Sequence, residues 1–176
     1  MVVKANDTSA AGVKAEPKIH AHVLIIEARF YEQISDMLVE GAIAELTARG
    51  ATYTRLPVPG ALEIPQVLGA AAAARAAGRT SFDGAIALGC VIRGETAHYD
   101  IVCNNANKRH MDNMRREDVP FGNGILTVES EAQALARAEG GSKGKGGDAA
   151  RACLRLIELK RAFWGQTGAQ AGGKSA

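Results

Sequence analysis

At 176 residues the chain is long enough for one domain with a sizeable core and too short for two comfortable ones. Its 21 basic and 19 acidic residues leave a net charge of +2, well below the basic excess of a phosphate-backbone binder, so nucleic acid is not an expected partner. Apolar residues make up 47% of the chain but aromatics only 5%, so Ala, Val, Ile and Leu must fill the core and each ring invites inspection. Cys90, Cys103 and Cys153 lie far apart without metal-ligand spacing, and an odd count argues against a disulfide framework. A reducing, cytoplasmic setting fits. No apolar run reaches signal-peptide or transmembrane length, so no membrane partner is expected.

In chain order, residues 1–18 read as a mobile tail rich in Ala, Lys, Asp and Ser, the folded domain as 19–164, and 165–176 as a second flexible tail. His22 to Glu27 is a short, nearly continuous apolar run, the signature of a parallel strand buried on both faces. From Tyr31 to Arg49 the residues Ile34, Leu38, Ile43 and Leu46 recur at helical spacing, and Gly50 stands where a C-cap glycine belongs. Thr52 to Val58 predicts a second strand ending at Pro59-Gly60. Pro65 to Ala77 predicts an Ala-rich helix opened by proline and closed by Gly78. Phe82 to Ile92 predicts a third buried strand and Thr96 to Arg116 a polar-faced helix. Gly124 to Val128 predicts the fourth strand, and Glu131–Ala138 and Asp148–Phe163 the last helices. Strands and helices alternating at this interval specify βαβ units: a four-stranded parallel, flavodoxin-like sheet in a three-layer α/β/α sandwich. Ligands of such sheets bind beyond the carboxyl ends of the strands, here at Arg29-Phe30, Val58–Glu63 and Ile92–His98.

The segment Leu88–Tyr99 is the most informative. A buried strand gives way to a turn containing Gly94 and then a helix that Glu95 or Thr96 can cap, leaving backbone N–H groups and the positive dipole end for an anion such as phosphate. His98 falls in the first helical turn, where that dipole favours the neutral imidazole a general base needs. A histidine that only caps or packs at the helix end fits equally well. Val58–Pro65 is a rigid turn that presents backbone amides and Glu63 to a polar ligand, or is a plain strand-to-helix connection. Phe30, at a strand end, can stack on a flat heterocycle or simply pack. Ser142–Asp148 has the composition of a flexible linker, although a lysine in a glycine-rich turn can also reach a phosphate. Arg137 is a surface charge by default, and its planar guanidinium also suits a phosphate. The residues alone define a phosphate-binding α/β domain with a candidate base.

Taken in order, Arg29-Phe30, Val-Pro-Gly-Ala-x-Glu-Ile-Pro at 58–65, Leu-Gly-x-Val-Ile-Arg-Gly-x-Thr-x-His at 88–98, Gly124–Thr127, Glu-Ala-Gln-Ala-x-x-Arg at 131–137 and Lys145-Gly146 resemble the lumazine synthases over residues 19–163. The resemblance implies condensation of 5-amino-6-(D-ribitylamino)uracil with 3,4-dihydroxy-2-butanone 4-phosphate to 6,7-dimethyl-8-ribityllumazine, phosphate and water, with no metal or organic cofactor. It implies that His98 assists proton transfers, that Arg137 binds the substrate phosphate and that Lys145 lies near the reacting groups. Phe30 would stack on the pyrimidine. Ala61, Leu62, Glu63, Cys90, Val91 and Ile92 would hold the pyrimidine substrate and its ribityl chain, and Glu95 and Thr96 would form the phosphate-binding turn. The resemblance further implies a pentamer, or a multiple of pentamers, in which a neighbouring subunit supplies Asn123, Arg137 and Lys145. Riboflavin synthase is then a candidate partner.

Three positions depart from the commonest family pattern: Asn123 where Phe is frequent, Cys90 where Thr is frequent, and Leu62 in place of a frequent Phe. Asn123 is expected just before the fourth strand, at the opposite end of the sheet from the other site residues. A catalytically weak scaffold or flavin-binding relative is the alternative function, and an unrelated flavodoxin-like binding domain a third. Retention of His98 with Arg137 argues against the scaffold, and six matched segments in order argue against the unrelated domain.

Overall fold

A computed structural model describes residues 17–95 and 98–166, apart from the side chains at 98, 107, 110, 111, 113–115, 165 and 166. Thr96 and most of both expected tails lie outside the described residues. Four strands, β1 (His22–Ala28), β2 (Thr52–Val58), β3 (Gly84–Ile92) and β4 (Phe121–Val128), alternate with α1 (Glu32–Ala48), α2 (Ile64–Ala76), α3 (His98–Glu117), α4 (Glu131–Ala138) and α5 (Lys145–Gln166). The sheet is parallel throughout, in the order β2-β1-β3-β4. This is the expected three-layer α/β/α arrangement.

Strand position explains strand sequence. The central strands β1 and β3 are buried along nearly their whole length, so both faces demand apolar side chains and the runs read as continuous. On one face Val23, Ile25, Ile86, Leu88, Cys90, Leu126 and Val128 join residues of α1, α4 and α5 in the larger core. On the other, Leu24, Ile26, Ala85 and Ala87 meet Ile64 and Leu68 of α2, which packs in turn against α3.

Two elements differ from the sequence expectation. β4 starts at Phe121, three residues early, so Asn123 is its third residue and pairs with Ala87 rather than preceding the strand. Gly and Asn are poor strand formers, but pairing with β3 overrides that preference. Gly122 is there for space, because a Cβ at this position would overlap the Ala149 carbonyl. The glycine-rich stretch 142–148 is not a free linker: a 3₁₀ turn at Gly141–Lys143 leads directly into α5, which begins at Lys145. Gly146 lies so close to α1 that a Cβ there would meet the Leu38 carbonyl. Here glycine permits close helix packing instead of chain freedom.

Candidate functional site

The turn after β1 is fixed by charge. Glu27 is 1% exposed at the end of β1, and it accepts from Arg55 Nε at 2.7 Å and Nη2 at 3.0 Å and from Arg29 Nη1 at 3.3 Å. Arg29 also donates to Asp36 at 2.6 Å, and the Ser35 hydroxyl donates to the Ala28 carbonyl at 2.5 Å. A buried carboxylate is tolerated because its oxygens are paired in this way. The turn so tied presents Phe30, which is 74% exposed and meets Tyr31 edge-to-face with ring centroids 5.0 Å apart. An exposed ring in a chain this poor in aromatics is an available stacking surface.

Beside it opens a cleft of about 350 Å³ at the carboxyl ends of the strands. Phe30 and Tyr31 form one wall, Gly60 to Glu63 another, Cys90 to Ile92 the floor, and Gly94, Tyr99 and Val102 the far side. The 58–65 turn is a tight strand-to-helix connection: Gly60 accepts from the Glu63 N–H at 3.3 Å, Glu63 takes the N-cap position of α2, and proline occupies its first turn. Burial pushes the Cys90 thiol up to about 11, so it enters the cleft as a neutral, weakly polar group. The Tyr31 and Tyr99 hydroxyls are both raised, chiefly by desolvation, and stay protonated donors near neutrality. An apolar slot with a few polar groups at its rim suits a flat, polar-edged heterocycle.

All seven residues expected around the pyrimidine, Phe30, Ala61, Leu62, Glu63, Cys90, Val91 and Ile92, line this cleft. Glu95 stands exposed in the bend before α3, and His98 is the first residue of α3. The other expected residues are elsewhere. Arg137 is exposed on α4, where it donates to the Gln133 carbonyl at 2.9 Å, and Lys145, at the start of α5, pairs with Asp148 at 2.8 Å. Their helices pack into the core on the α1 face. Asn123, exposed on edge strand β4, accepts from the Ile125 N–H at 3.1 Å and lies three residues below Cys90 in register. Sequence reasoning gave no role to Tyr31, Tyr99 and Val102. Tyr99 carried one usable signal, an aromatic next to the candidate base in a chain with only 3 tyrosines. Among the described residues no group of three or more His, Cys, Asp or Glu is arranged to hold a metal, and no helix is long and apolar enough to cross a membrane.

The fold and the cleft define a flavodoxin-like α/β protein that takes a small ligand at the carboxyl ends of its strands. The profile of the 6,7-dimethyl-8-ribityllumazine synthase family matches residues 20–161. The chain is 52% identical over 141 residues to 6,7-dimethyl-8-ribityllumazine synthase 1 of Rhodopseudomonas palustris, covering 80% of this chain and 86% of the relative. It is 51% identical over 144 residues to the enzyme of that name from Agrobacterium fabrum (82% and 97% covered) and 53% over 142 residues to that of Bartonella henselae (81% and 90%). The chain belongs to the 6,7-dimethyl-8-ribityllumazine synthase family.

Proposed function

We propose that the protein is a transferase of riboflavin biosynthesis that condenses 5-amino-6-(D-ribitylamino)uracil with 3,4-dihydroxy-2-butanone 4-phosphate to give 6,7-dimethyl-8-ribityllumazine, phosphate and water. The observation that carries this reading is the cleft, whose Phe30 wall, Ala61–Glu63 turn and Cys90–Ile92 floor suit a pyrimidine with a polyol chain. Imine formation, phosphate elimination and ring closure are proton-transfer steps between two pre-oriented reactants, which positioning and one neutral base can serve. His98 at the helix start is that base, and Glu95 and Thr96 with the adjoining backbone amides receive the phosphate. No metal or organic cofactor takes part, and the enzyme works in the cytoplasm.

The separation of Asn123, Arg137 and Lys145 from the cleft supports a site shared between subunits of a pentamer or of a multiple of pentamers. Each chain gives its cleft and borrows these three from its neighbour. Arg137 then binds the phosphate by its planar fork and Lys145 stands near the reacting groups, while Asn123 closes the pyrimidine site with an amide. Riboflavin synthase, which would consume the product, is a candidate partner. The test is lumazine absorbance and fluorescence when purified protein meets both substrates, with Arg137→Ala in parallel. The expected result is product from the wild type and a fall of about 10²-fold or more in kcat/KM for the variant. No product above the uncatalysed rate sinks the enzyme reading in favour of a scaffold or flavin-binding relative. An unaffected variant removes Arg137 from the phosphate site.

A further inference from the structure

The helix that begins at His98 packs against α2. Among its described side chains only Val102 and Ala106 are buried, and Ile101 is 54% exposed. Its first turn is nevertheless part of the cleft wall through Tyr99. What locates that turn is Arg93. Its backbone N–H donates to the Val128 carbonyl at 2.9 Å, tying the ends of β3 and β4 together. Its Nε meets Glu129, the residue after β4, at 2.9 Å, and its Nη2 meets Asp100 in the first turn of α3 at 3.4 Å. The guanidinium carbon lies over the Tyr99 ring, 4.1 Å from the centroid.

We infer that Arg93 is a positioning residue for the proposed reaction: one planar cation locks the first turn of α3, and with it His98 and Tyr99, onto the carboxyl ends of β3 and β4. Only a guanidinium meets all three demands, because it offers donors along two edges and a flat face for a ring. An ammonium can pair with the carboxylates or sit over the ring, but it lacks the flat face and second donor edge to do both at once. Arg93, Asp100 and Glu129 are each more than one-third exposed, so these ion pairs add little to global stability. Their effect is geometric. Proton transfer between bound reactants is sensitive to displacements of about 1 Å, so a turn that rocks loses rate before it loses binding.

This inference rests on the proposed reaction, and the experiment separates failure of the two. Full-length wild type, Arg93→Gln and Arg93→Lys are assayed with both substrates, and amide hydrogen exchange is followed across the chain. Arg93→Gln is expected to lower kcat about tenfold while KM for either substrate moves less than about threefold. Its melting temperature should stay within about 2 °C of wild type. Exchange should speed up at residues 98–103 and not in β1 or α5, and Arg93→Lys should recover part of kcat. A kcat equal to that of an active wild type, or a loss carried by KM alone, overturns the positioning role. If the wild type itself makes no lumazine, the reaction is wrong, and exchange alone decides the clamp. Faster exchange confined to 98–103 upholds it, and unchanged exchange removes it.

Discussion

α5 and α3 are nearly equal in length, 22 and 20 residues, and pack on opposite faces of the sheet, α5 with α1 and α3 with α2. α5 buries Ala149, Ala150, Cys153, Leu154 and Ile157 in the larger core and brings Gly146 against the backbone of α1. α3 packs against α2, buries Val102 and Ala106 among its described side chains, and has its first turn tied to the sheet by Arg93. Close apolar packing has one low-energy arrangement and resists small shifts, whereas exposed polar links hold a position at little cost in stability. One face of the sheet thus carries the larger core, and the other carries the helix that begins at His98.

The largest effect should come from breaking the first face. Gly146→Ala forces α5 away from Leu38, and an expected loss of about 3 kcal/mol or more should be read from the denaturant midpoint. An unchanged midpoint would mean that the α1–α5 seam is pliable and the contrast false. On the other face, His98→Ala should lower kcat about tenfold or more while melting stays within about 2 °C of wild type. Wild-type turnover in that variant removes His98 from the mechanism, and a large drop in melting temperature denies that the two faces are separable.

Cys90 sharpens the comparison because it belongs to the core and to the cleft at once. Its thiol is raised from 9.0 to about 11 by burial, so the folded state keeps a proton that the unfolded chain releases at lower pH. The contribution is complete below pH 9 and is lost as pH rises towards 11. Relative to Cys90→Thr, which has no thiol, the wild type should lose stability across that window in parallel melts. Parallel pH curves for the two proteins would show a Cys90 thiol that titrates alike folded and unfolded. This is the smallest of the expected effects.

β1 and β3 were legible because burial on both faces writes itself as an unbroken apolar run. The ends of α1 and α2 were legible because Gly50 and Gly78 follow them closely. The start of β4 was not, since Gly122 and Asn123 disfavour strands and only pairing with β3 extends it. The stretch 142–148 misled because a glycine needed for close approach and one that frees a linker look identical in composition. In the site, Phe30 and the two turns could be singled out from the residues themselves. Arg137 and Lys145 could be read as phosphate ligands by residue type, but only the resemblance ties them to the other expected site residues. Arg93 escaped notice because its partners Asp100 and Glu129 stand 7 and 36 residues away.

The strand order also bears on biosynthesis. β1 precedes β2 and β3 in the chain but lies inside the sheet: Val23 pairs with Tyr53 on one side and with Gly84 on the other. Until β3 has been translated, one side of β1 has no neighbour. Nascent β1–α1–β2 therefore leaves a strand edge open to intermolecular pairing until β3 arrives.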